Sequence, residues 1–359
     1  MRKGARSRKV YVSAVFAGSG IYYTFLMIKR MLLLTVGFCV SLFCGIGMAL
    51  ADPGFWKHEW PETDFSKTSV DYGDIFSGGP PKDGIPAIDA PVFVEISKIQ
   101  DIKETEPVIG VVVGNEAKAY PLRILMWHEI VNDTIGGVPV SVTFCPLCNA
   151  SIVFDRRLSH PEKGDMVLDF GTTGKLRNSD LVMYDRQTES WWQQFLGEAI
   201  VGELIGSTLK VIPVRIESFA KFKERQPEGL VLIPAQAGLR PYGKNPYEGY
   251  DSLATPFLYR GEMPSKVAPL SRIVTSEGRA WSLDYVRDKK RIETKDGLII
   301  EWEKGQNSAL DASEIGEGVD IGNITVRRLK DGKSVDVAYR VDFAFAHHAF
   351  HPDIPIITQ

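Results

Sequence analysis

From Val108 to Ile233 the sequence is a train of short apolar and β-branched runs separated by turn-forming residues. This rhythm restricts the fold more than any other feature. Val108–Val113, Ala117–Tyr120, Val138–Phe144 and Ala150–Asp155 are the clearest runs; Val167–Phe170, Leu181–Tyr184, Ala199–Val201, Leu209–Val214 and Leu230–Ile233 continue the series. Runs of this length bounded by Gly, Pro, Asn and Asp read as strands, and Gly136-Gly137 marks a hairpin-like reversal between Glu129–Ile135 and Val138–Phe144. Helical pattern is scarce. Pro121 opens a short helix over Leu122–Trp127, since proline fits the first helical turn. The best helix is Ser218–Gln226, where Ser218 caps, Phe219 and Phe222 share a face and Pro227 stops the run. A parallel doubly wound sheet needs regularly interleaved helices, so the expected class is α+β, mostly short antiparallel strands with few helices.

The remaining organisation follows from flanking composition. Lys29-Arg30 precede an uncharged run from Met31 to Leu50, and Ala49-Leu50-Ala51 places small residues at the −3 and −1 positions of a cleavage site. That is the layout of a secretory signal peptide, so residues 1–51 are read as an export segment and the protein as periplasmic or extracellular. The run is also long enough to span a bilayer, which leaves an uncleaved membrane anchor as the other reading. Met27 is a natural start, making residues 1–26 an over-extended beginning. Residues 52–90, rich in Pro, Gly and Asp, form a loop-rich lead-in, and residues 91–359 the main domain. Within that domain EAKAYPLRIL, from Glu116, is echoed by EGRAWSLDYV, from Glu277, which raises the expectation of two related halves. A net charge of −3 over 359 residues argues against a nucleic-acid partner and leaves the membrane only to the N-terminal segment.

Cysteine usage narrows the chemistry. Removing the export segment removes Cys39 and Cys44 and leaves Cys145 and Cys148, a single C-x-x-C pair rather than a disulfide framework. Three readings stay open. As a redox dithiol, Cys145 attacks, Cys148 resolves, and His128 or Glu129 tunes protonation, with an unidentified redox partner. As a metal or cofactor module, Cys145, Cys148 and His128 supply three ligands to zinc or copper. As a structural disulfide, the pair braces a binding domain whose small-molecule ligand sits on Trp191, Tyr242 and Tyr247.

Other motifs have plainer readings. Asp169–Lys175 (DFGTTGK) fits no phosphate-loop template, and is expected to be a loop whose glycines take positive φ. Asp180, Asp185 and Arg186 flank a strand and are expected to be ion-paired or to line a site. Trp191-Trp192 is expected in the core. His347, His348 and His351 form a terminal trio without a nearby acidic or Cys partner.

Several of these stretches resemble a known family. AYPLRILMWHEIVND, GG-PV-VT-CPLC, VFDR, FGTTG, NSDLVMYDRQTESWW, GEAIVG and AFHPD are similar, in order, to the bacterial and archaeal domain-of-unknown-function family numbered 3179, over roughly Pro86 to Pro352. The family has no assigned reaction. The resemblance implies an exported or membrane-attached protein. Some members are regarded as selenoproteins, with selenocysteine replacing a cysteine of the motif that matches Cys145–Cys148; that implies a redox-active pair. The chain departs from the pattern at Asn149, where Gly is expected, and at His347-His348, where Trp and Ala are expected.

Overall fold

The computed structural model describes residues 53–330 and 332–359, so the export segment expected over residues 1–51 lies outside the described residues. Strand outweighs helix by 40% to 15% and most pairings are antiparallel, as the rhythm of short runs implies. No described helix is long and apolar enough to cross a membrane.

The Cys-bearing part begins with a hairpin, Pro107–Val113 against Glu116–Pro121. Pro121 lacks an N–H, so it ends the ladder, and its φ of −63° starts the helix Leu122–His128. Leu122, Ile124, Leu125 and Met126 bury that helix. Glu129 follows at φ 58°, and the chain turns into a second hairpin, Ile130–Ile135 with Val138–Cys145, extended by Ala150–Asp155 and Lys210–Val211. Arg215–Ser218 then returns antiparallel to Pro107–Val113 and leads into the helix Phe219–Arg225. Leu230–Ile233 closes the unit by running parallel to Glu116–Pro121.

The same succession recurs later in the chain. Arg272–Ser276 pairs with Arg279–Ser282, which feeds the helix Leu283–Lys289. Arg291–Glu293, Leu298–Glu303, Asn323–Lys330 and Lys333–Asp336 form a four-stranded sheet. Arg340–Phe343 returns antiparallel to Arg272–Ser276, leads into Ala344–Phe350, and Ile356–Ile357 runs parallel to Arg279–Ser282. All four strand-fed helices have seven residues. Details agree as well. Glu129 and Lys290, just beyond their helices, have φ/ψ of 58°/−32° and 62°/−37°. Gln226 and His351 have −134°/67° and −136°/59°. Phe144 N donates to Glu129 O at 2.8 Å, and Trp302 N to Lys290 O at 2.9 Å. From these anchors and the strand registers, Cys145 corresponds to Glu303, Arg215 to Arg340 and Val211 to Asp336.

The two successions differ in their insertions: the second has a longer connection between Glu303 and Asn323 than the first has between Cys145 and Ala150, and the first carries an extra sheet. Between Ala150–Asp155 and Lys210–Val211 the first carries strands Phe170–Arg177, Asp180–Asp185, Trp191–Gln193 and Glu198–Val201, joined by Ile75–Ser77 from the lead-in. Trp191 is buried there among Trp60, Phe65 and Tyr184, a core role. The segment read as a loop at Asp169–Lys175 is instead mostly strand, with a bulge between Thr172 and Lys175. The bulge lets Gly174 take φ +67° against the backbone of Pro80, where a Cβ would lie 1.9 Å from the carbonyl oxygen. Residues 234–271, which join the two successions, hold no named strand and one 3-10 turn, Tyr250–Ser252.

Candidate functional site

Cys145 is the last residue of Val138–Cys145 and pairs with Ala150 across the hairpin, so the C-x-x-C motif is the hairpin's tip. Pro146–Cys148 forms a 3-10 turn, and Asn149 closes it in the left-handed region at φ 52°. Asn tolerates that conformation better than other side-chain-bearing residues. Its side chain adds a bond, from Asn149 Nδ2 to Val341 O at 2.7 Å. Both cysteines are free thiols, 2% and 0% exposed, with their sulfurs 4.1 Å apart and no disulfide.

The third member comes from the inserted sheet. Asn178 and Ser179, at φ 52° and 64°, make the two-residue turn between Phe170–Arg177 and Asp180–Asp185, a geometry that suits the twist of a hairpin. The turn delivers Asp180 to the thiols: one carboxylate oxygen and both sulfurs lie within 4.8 Å of one another. Asp180 Oδ2 accepts from Gln193 Nε2 at 2.7 Å and from Phe195 N at 2.9 Å. Oδ1 is buried and has no hydrogen-bond partner. Such an orphan normally costs about 1–3 kcal/mol.

Acids dominate the surroundings. Burial pushes Asp180 up to about 7 in spite of the opposing hydrogen-bond effects of Gln193, Phe195 and Cys145. Burial, with the negative charge of Asp180, pushes Glu129 up to about 8. Asp342 is raised to about 6 by burial, against the pull of Arg340. Both thiols are raised, chiefly by burial, with Asp180 adding to the effect. A thiolate nucleophile is normally made by a nearby cation or helix N-terminus; this setting does the reverse.

His128 stands apart from this group. Its Nδ1 meets Pro86 O at 2.8 Å, its Nε2 meets Tyr242 OH at 2.8 Å, and burial lowers its pKa. Both ring nitrogens are committed to tying the lead-in and residues 234–271 to the helix end. Glu129 is drawn into the acidic group, whereas the group with metal-holding geometry among the described residues contains Asp180 and not His128. Burial raises the pKa of Tyr247, with Glu129 and Cys145 close enough to add to the effect, and Tyr250 OH donates to Leu147 O at 2.9 Å, inside the C-x-x-C turn. Trp191 packs in a different cluster from Tyr242 and Tyr247, so the three-aromatic platform does not assemble. Of the terminal histidines, His347 and His351 bring their rings to 5.6 Å, but His347 Nε2 meets Ile354 O at 3.0 Å, His351 Nε2 meets Arg340 Nη2 at 2.9 Å, and no histidine belongs to the metal-holding group among the described residues. Asp342 carries no flag in the sequence reading, yet its alternation with Arg340 repeats that of Arg215 and Glu217, a signal in plain view.

Neither a curated protein nor a solved structure matches the chain. A family model described as "Protein of unknown function (DUF3179)" matches residues 82–354, which take in the cysteine hairpin, Asp180 and Asp342, and the chain belongs to that family.

Proposed function

We propose that the protein binds a transition metal, zinc by preference, through Cys145, Cys148 and Asp180. The convergence of both thiols and a carboxylate oxygen of Asp180 within 4.8 Å of one another carries this reading. Tetrahedral zinc with Zn–S bonds of about 2.3 Å holds two sulfurs roughly 3.8 Å apart, whereas a disulfide needs about 2.05 Å. The 4.1 Å seen here lies close to the first value and far from the second. The Asp180 carboxylate supplies a hard donor beside two soft ones, a set that suits zinc better than Cu(I). A bound dication would also favour the deprotonated forms of the two thiols and Asp180, against the burial that raises the pKa of all three. Glu129 is the fourth candidate, as ligand or as hydrogen-bond partner of a bound water.

The thiol-redox reading rests on the adjacency of two free thiols. Raised thiol pKa values and near-complete burial oppose it. Metal analysis of protein purified in the presence of reductant separates the two. The metal reading expects one zinc per chain, lost in Cys145→Ser. Metal-free protein whose pair cycles at an oxidoreductase-like potential would favour the redox reading.

We also infer that the two successions descend from one duplicated unit, of which only the first kept thiols. Shared topology and cap dihedrals support this. The Lys29-Arg30 flank, the Met31–Leu50 run and Ala49-Leu50-Ala51 support action outside the cytoplasm.

A further inference from the structure

Arg215 and Arg340 occupy corresponding strand positions, yet their guanidinium groups are satisfied differently. Arg215 is held by a bidentate carboxylate: Nε and Nη2 donate to Asp336 at 2.7 and 2.6 Å. The residue corresponding to Asp336 on the other side is Val211. Between Val211 and Arg340 lies a cavity of about 300 Å³.

The walls of this cavity are largely apolar, with Ile152, Phe195, Leu196 and Ile354 among them. Its polar end is Arg340, His351 and Thr275. Arg340 Nη1 donates to Phe195 O at 2.7 Å, Nη2 meets His351 Nε2 at 2.9 Å, and Nε faces Asp342 at 3.3 Å. The first two are hydrogen bonds and the third is an ion-pair contact, since neither Asp342 oxygen has a hydrogen-bond partner; one N–H is left on each terminal nitrogen. Thr275 is 7% exposed, and its Oγ1 has no hydrogen-bond partner. The one carboxylate on the wall, Glu277, is engaged by Arg328 at 2.5 Å.

We propose that this cavity binds a small organic carboxylate, which meets the N–H groups that Arg340 leaves free on its two terminal nitrogens. Thr275 Oγ1 is placed to donate to the bound anion, and the apolar wall covers its hydrocarbon part. A volume at the lower end of ligand pockets restricts the guest to a small aliphatic or aromatic acid. Bidentate guanidinium–carboxylate pairing gives the site its preference for carboxylates over neutral molecules of the same shape. The proposal is independent of the metal centre, since no thiol takes part in it.

The test is titration calorimetry of the full chain with benzoate and butyrate, with benzamide as the neutral control. Val211 is 42% exposed, so it can be changed without opening the core. Val211→Asp supplies the carboxylate from the chain itself and is expected to weaken carboxylate binding at least tenfold; Val211→Asn is expected to stay within about threefold of the unmodified protein. Circular dichroism checks that both variants fold. Unchanged affinity in folded Val211→Asp overturns the proposal. So does benzamide binding as tightly as benzoate, or no carboxylate binding at about 10 mM.

Discussion

Asp180 Oδ2 is held by Gln193 and Phe195 while its Oδ1 is buried without a hydrogen-bond partner, and one oxygen of this carboxylate lies within 4.8 Å of both thiol sulfurs. The residue is therefore aimed and incomplete at once. Asp180→Asn keeps the size and removes the charge. It is expected to weaken zinc binding by about a hundredfold while leaving metal-free protein as stable as before or more so, because a buried charge costs stability when unpaired. Chelator competition and thermal melts check the two halves of that statement. A large loss of stability without loss of zinc would mean that Asp180 is only structural.

Tyr250 pins the cysteine turn from residues 234–271 through its bond to Leu147 O. Tyr250→Phe orphans a buried carbonyl, which costs about 1–3 kcal/mol of stability. The effect is read from denaturant midpoints at unchanged m-value. A loss of less than about 0.5 kcal/mol would mean that water reaches the turn and replaces the hydroxyl.

Asn149 combines a left-handed backbone with a side-chain bond to Val341 O. Asn149→Gly gives up the bond but relaxes the backbone; Asn149→Ala gives up both. Alanine is expected to be worse than glycine by about 1 kcal/mol, since a Cβ is disfavoured in that region. Equal losses would show that the hydrogen bond alone matters.

His351 bears on the pH dependence. Burial, with the positive charges of Arg340 and His347 facing it, holds its pKa at about 4, below the ordinary histidine value. The unfolded chain then binds the extra proton first, so the contribution of His351 is intact above about 6.5 and is lost as pH falls toward 4. His351→Asn is expected to flatten that part of the melting-temperature profile by a few degrees relative to the unmodified protein. Parallel profiles for the two proteins would remove His351 from the account.

Much of the frame is legible in the residues because its signals are local. Gly136-Gly137, Pro121 and the pair of Ser218 and Pro227 each act within a turn of where they stand, and the structure uses each of them there. The echo of Glu116–Leu125 in Glu277–Val286 marks the helix-feeding strands of both successions. The rest of the second succession is illegible because short strands share only alternation: Arg215-Ile216-Glu217 and Arg340-Val341-Asp342 match in type and carry little else. The site itself is long-range. Asp180 reaches Cys145 only through the turn at Asn178-Ser179 and the packing of an inserted sheet, which no spacing encodes. His128 misled for the opposite reason: next to Glu129 in sequence, it spends both nitrogens on Pro86 and Tyr242.

The most direct test of the metal centre is a cobalt(II) titration of reduced, metal-free protein, followed by absorption. The account predicts a sulfur-to-cobalt charge-transfer band and tetrahedral d–d bands that saturate at one equivalent. It predicts that the charge-transfer band halves or vanishes in Cys145→Ser and in Cys148→Ser, and that zinc displaces it. A flat near-ultraviolet response with both thiols titrating freely would contradict the centre formed by Cys145, Cys148 and Asp180.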